Sequence, residues 1–122
     1  MTEALIEGYS ARYLPSEKTL RVSLDWPVRV GRIISAVKLG DLALDRATIE
    51  LVTGGAFRDT TIVRIPSKRP DQIALQRWDP RPDGMMSPAC DHDGSASELF
   101  FHCMDEKGAR SALRELRRLA QL

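Results

Sequence analysis

Three stretches of this chain alternate apolar and polar side chains, and a period of two commits them to sheet. In "TLRVSLD" (19–25), Leu20, Val22 and Leu24 alternate with Arg21, Ser23 and Asp25. Successive side chains of a strand point to opposite faces, so such a run buries one face and wets the other. In "DRATIELV" (45–52), Ala47, Ile49 and Leu51 share a face; in "RDTTIVRI" (58–65), Thr61, Val63 and Ile65 do. The segment "TGGAF" joins these two runs, and a short glycine-bearing connection between alternating runs predicts a hairpin. Upstream, "ALIEGYSARYL" can pair with residues 19–25 across the turn "PSEKT".

After Pro27 the period changes. Val30, Ile33, Ile34 and Val37 fall at the spacing of one helix face, which predicts a helix running to Gly40. Pro27 suits a first helical turn and Gly40 a stop. Gly31 sits inside that helix at a cost of about 1 kcal/mol against alanine, so a strand reading of the stretch stays open.

Five of the seven prolines lie between Pro66 and Pro88. Within that region only "QIALQRW" reads as a short strand, and residues 79–95 read as a long loop of the kind that serves binding. "SELFFHCM" follows as a strand. "DEKGARSALRELRRLAQL" (105–122) then gives the clearest helix, with Ala109, Ala112, Leu113, Leu116 and Leu119 or Ala120 on one stripe and Asp105 as N-cap. Glu106 stands four residues before Arg110, a favourable pair on a helix surface.

At 122 residues, with 43% hydrophobic and 29% charged residues, the chain is expected to be a single α+β domain over 1–122. A formal charge of +1 gives no global drive toward a polyanion, so no nucleic-acid partner is expected. No apolar run approaches the ~20 residues that span a bilayer, so no membrane partner is expected either. The start, "MTEALIEGYSARYL", has no signal-peptide core; with two cysteines, the expected compartment is the cytoplasm.

"CDHDGSASELFFHC" holds both cysteines and both histidines of the chain. Zinc sites usually supply spaced pairs of thiolates and imidazoles. His102 and Cys103 are adjacent on a predicted strand and therefore point to opposite faces. His102 lies with Phe100 and Met104, and Cys103 with Leu99 and Phe101. A metal site from Cys90, His92 and one of the later pair remains an alternative, with Asp91 or Asp93 as a further ligand. A calcium loop is excluded, because alignment on Gly94 puts Ala89 and Phe100 where acidic ligands belong. Without a C-x-x-C, Cys103 reads as a packed thiol rather than a reactive one.

Phosphate-binding loops, nucleophile elbows and H-E-x-x-H motifs are missing, so no cofactor and no catalytic residue are assigned. Arg110, Arg114, Arg117 and Arg118 make the last helix basic. With Glu106 and Glu115 interleaved, that face is either solvated or set to meet an acidic protein partner.

The order strand, helix, strand, strand predicted over residues 19–65 is the opening of a ferredoxin-like unit. Within it, "SLDWPVRVGRIISAVKLGDLALDRATIELVTGGAFRDTTIVRI" resembles the ACT domain family over residues 22–65, through Asp25, Pro27, Val30, Gly31, Arg32, Ile33 and Ala36 in order. The resemblance implies an antiparallel sheet with helices on one face, a homodimer or a partner enzyme, and a regulatory role in binding an amino acid or related effector. It further implies that the turn after the first strand makes the contacts. Asp25 would meet an amino group, and Pro27, Val28, Arg29 and Val30 would line the approach. A family glycine is replaced here by Val28. A non-catalytic effector-binding domain is thus the first expectation. A protein-interaction module without a small ligand is the second, and a metal-binding protein using Cys90 and His92 the third.

Overall fold

A computed structural model describes residues 4–25, 32–55, 57–80, 86–88 and 94–122. They form an α+β fold of two antiparallel sheets and one C-terminal helix. The larger sheet contains β1 (Tyr9–Leu14), β2 (Thr19–Asp25), β3 (Arg32–Lys38), β6 (Ile73–Pro80), β7 (Met86–Pro88) and β8 (Gly94–Ala96). Its order is β1-β2-β3-β6-β7, with β8 also paired to β6. The smaller sheet has the order β4-β5-β9, from β4 (Thr48–Leu51), β5 (Thr61–Pro66) and β9 (Glu98–Cys103). Helix α1 (Glu106–Ala120) follows and packs on β4, β5 and β9.

The alternating runs fold as their period demands. On β2, Leu20 and Val22 are buried, while Arg21 between them is exposed. The β1–β2 pair is the expected hairpin, with Ala11 opposite Val22 and Tyr13 opposite Leu20. The β4–β5 hairpin pairs Ile49 with Val63. Its connection places Gly55 at φ +81°, a left-handed conformation that glycine adopts without the steric cost of a Cβ.

The helix expected from Val30 to Gly40 is corrected: residues 32–38 are strand β3, and the ferredoxin-like order expected over 19–65 gives way to strand after strand. The cause lies in which faces are apolar. Ile33 and Val37 point with Ser35 toward the inner face, whereas Ile34 is buried on the outer face, opposite Ser23 and Gln76. A strand apolar on both sides loses its period of two and imitates a helical stripe. Its β-branched Ile33, Ile34 and Val37 favour the extended form. After β3, Leu39–Asp41 and Leu44–Arg46 each form a single 3₁₀ turn.

The loop expected over 79–95 is also partly structured. β6 runs to Pro80, β7 pairs with its end through Trp78 opposite Pro88, and β8 pairs with its start through Ile73 opposite Ala96. β3 occupies the other edge of β6, so β7 and β8 lie end to end along one edge.

One continuous core joins the layers. Leu20, Val22, Val37 and Ile73 come from the larger sheet, and Val63, Ile65, Leu99, Phe101 and Cys103 from the smaller. The helix contributes the predicted stripe Ala109, Ala112, Leu113 and Leu116. The sheets are stitched by backbone bonds, including Ile6 N–H to His102 O at 3.1 Å and Ala43 N–H to Pro66 O at 2.9 Å. Among the described residues no helix is long and apolar enough to cross a membrane.

Candidate functional site

An apolar hollow opens where the larger sheet's inner face meets the start of β9. Register builds its floor in two rows. Tyr9, Leu24 and Ile33 stand directly opposite one another across β1, β2 and β3. Val22, Ser35 and Leu75 form the next row across β2, β3 and β6. Ala96, Glu98 and Phe100 make the opposing wall, and the space is about 220 Å³. Two of its residues are among the few large apolar side chains left in contact with water: Ile33 is 37% exposed and Phe100 48%.

The rim is charged. Arg64 stands opposite Phe100 on the same face of the smaller sheet. Its Nη1 donates to Glu98 Oε1 at 2.8 Å, and its Nε lies 4.0 Å from Glu50 Oε2. One guanidinium thus sits between two carboxylates, and Arg77, opposite Ile33 on β6, adds a second cation beside the floor. The floor is apolar except for the Ser35 hydroxyl and the Tyr9 phenol. Burial pushes the Tyr9 phenol up to about 12, so it remains a protonated donor at neutral pH.

Behind this wall, His102 is 5% exposed. Its ring stacks on Phe57 with centroids 4.1 Å apart and meets Phe100 edge-on at 6.4 Å. Tyr9 closes the same aromatic group at 5.8 Å from His102. Burial first, and the nearby Arg64 guanidinium second, hold the imidazole below its ordinary pKa of 6.5.

Of the site residues expected from sequence in the turn after β2, Asp25 is the one described. Asp25 lies on the outer face of the larger sheet, next to but not facing the hollow. Its carboxylate takes Nε and Nη2 of Arg32 at 2.6 and 3.2 Å. Pro27, Val28, Arg29 and Val30 lie outside the described residues, as do Cys90 and His92. Cys103, fully buried, has its thiol pushed up to about 11 by desolvation and then by Asp105, so by itself it stays a protonated thiol at neutral pH. Among the described residues no group of three or more His, Cys, Asp or Glu is placed to hold a metal ion.

The four helix arginines are mostly engaged. Arg110 pairs with Glu106 at 2.8 Å, Arg118 pairs with Glu115 at 2.5 Å, and Arg117 donates to the Leu44 carbonyl at 3.1 Å. Arg114 is the one of the four without a hydrogen bond or ion pair among the described residues.

Sequence reasoning missed Ile33, Ser35, Leu75, Glu98 and Phe100 as a group. They come from three strands and carry no shared motif. The available signal was Phe100, an aromatic on the side of β9 opposite Leu99 and Phe101. Comparison with protein-family models, with curated proteins and with solved structures finds no match to this chain.

Proposed function

We propose that this chain is a non-catalytic regulatory domain that binds a small amino acid with an apolar side chain in the hollow between its two sheets. The carrying observation is an apolar slot of about 220 Å³ with the Arg64–Glu98 ion pair at its mouth. Drug-sized ligands take roughly 300–1,000 Å³, and a cavity of about 150 Å³ accommodates benzene. The slot therefore suits one ring or one branched chain. Burial of such a group is worth about 1.5–3 kcal/mol, so a polar head must add affinity.

The mouth supplies that head group's partners. Glu98 offers a carboxylate to an ammonium, and Arg64 offers a fork of donors to a carboxylate, 2.8 Å away from each other. An α-amino acid carries both groups on one carbon. This reading keeps the ligand class that the ACT resemblance implies and moves the contacts from the turn after Asp25 to the slot.

A thermal-shift series tests it, with phenylalanine, leucine, phenethylamine and 3-phenylpropionate as probes. Phenylalanine or leucine is expected to raise the midpoint, by about 2.7 kcal/mol of stabilisation at a hundredfold excess over Kd. Glu98→Gln should remove most of that shift and Phe100→Ala should weaken it; both side chains are partly exposed, so the fold tolerates the changes. The reading fails if no amino acid shifts the midpoint, or if 3-phenylpropionate stabilises the wild type and Glu98→Gln alike.

A further inference from the structure

The outer face of the larger sheet holds a second and separate arrangement. Arg12 and Arg21 stand directly opposite each other on β1 and β2. The adjoining bond from Asp25 N–H to Gly8 O, at 2.8 Å, sets the alternation of the ladder, and Arg12 and Arg21 fall on a hydrogen-bonded pair. Their Cα atoms are therefore about 5.5 Å apart. Both side chains are exposed, and neither has a hydrogen bond or ion pair among the described residues. Lys38, opposite Thr19 on the same face, is a third cation without a hydrogen bond or ion pair from its side chain among the described residues.

Like charges directly opposite on a sheet destabilise it, and neither arginine is in an ion pair among the described residues. Asp25, the acid on the strands of this face, is taken by Arg32. Beside the arginine pair the row continues from Arg21 to Ala36 and then Ala74. These two methyls leave a trough of about 570 Å³, walled by Ile34 and Gln76 on one side and by Thr19 and Glu17 on the other. The apolar floor thus runs up to Arg21, which lines the trough, with Arg12 directly beyond it on β1.

We propose that this trough binds a phosphate monoester with a flat apolar body. The ring lies on Ala36 and Ala74, and the phosphate bridges Arg12 and Arg21. Guanidinium forks match phosphate oxygens in pairs, and a dianion offsets both charges where a carboxylate offsets one. Glu17, in the β1–β2 turn, borders the arginine side of the trough, so the phosphate meets the guanidinium forks away from that turn.

Calorimetric titration of the full chain with phenyl phosphate tests the site, with inorganic phosphate and benzoate as controls at matched ionic strength. Phenyl phosphate is expected to bind more tightly than either control. Arg21→Gln and Arg12→Gln should each weaken it about tenfold or more, since each removes charge-assisted hydrogen bonds. Arg12→Glu should abolish binding while leaving the thermal midpoint unchanged or higher, because it turns a repulsive cross-strand pair into an attractive one. Unaltered affinity in Arg21→Gln, benzoate binding as tightly as phenyl phosphate, or no heat from phenyl phosphate would each overturn the proposal. None of these outcomes bears on the slot between the sheets, which shares neither arginine.

Discussion

Thr60 and His102 share one hydrogen bond whose direction the structure fixes. Thr60 Oγ1 lies 2.5 Å from the Phe57 carbonyl and 3.1 Å from His102 Nδ1. A hydroxyl has one proton to give, and the carbonyl can only accept. The Thr60 proton therefore goes to Phe57, and His102 must donate from Nδ1. The neutral Nδ1–H tautomer is the form this pocket holds, in keeping with an imidazole held below its ordinary value by burial and by Arg64.

That assignment sets a pH dependence. The folded state binds the His102 proton less readily than the unfolded state does, so between the two pKa values the unfolded chain carries more protons and stability rises with pH. The contribution is complete above the ordinary value of 6.5 and is lost as pH falls below it toward the depressed folded value. Urea titrations at pH 7.5 and pH 5.5 should show a larger loss of unfolding free energy in wild type than in His102→Gln. An equal loss in both would show that His102 does not titrate across folding.

A second prediction concerns the start of α1. Asp105 is extended, at φ −155° and ψ 175°, and its Oδ1 accepts from Gly108 N–H at 2.7 Å. This is the N-cap geometry, and it relieves one of the donors that a helix start leaves unpaired. Asp105→Ala should cost about 1 kcal/mol, and Asp105→Asn or Asp105→Ser much less. Chemical denaturation of the three variants measures it. An Asn variant as unstable as the Ala variant would mean that the carboxylate's charge, rather than its hydrogen bond, supports the helix.

Legibility in the sequence followed the number of wet faces. β2 and α1 each have one buried and one solvated side, so their periods named them, their faces and, for α1, the capping residue. β3 buries Ile34 on one side and Val37 on the other, and its pattern then fits a helix equally well. β7 and β8 are three residues each, too short to show a period; they exist because β6 offers an edge to pair with. The candidate slot was invisible for another reason. Its charged pair, Arg64 and Glu98, is 34 residues apart and meets only through the β5–β9 register. Arg12 and Arg21 likewise become neighbours only when the β1–β2 hairpin closes.

Cys103 closes β9 with its side chain fully buried on the core face, beside Phe101 and Leu99. Desolvation, and then the Asp105 carboxylate, push its thiol up to about 11. A thiol reacts as its thiolate, and at pH 8 this one holds almost none, behind a wall of packed side chains. In a Cys90→Ser variant, where Cys103 is the remaining thiol, iodoacetamide at pH 8 should label the native protein only as fast as the chain opens. Denaturant should restore the rate of a free cysteine. Prompt labelling of the native variant would show that the end of β9 opens locally, without global unfolding. The backbone bonds from Ile6 N–H to His102 O and from Met104 N–H to Ala4 O, both 3.1 Å, would then be the clasp that yields.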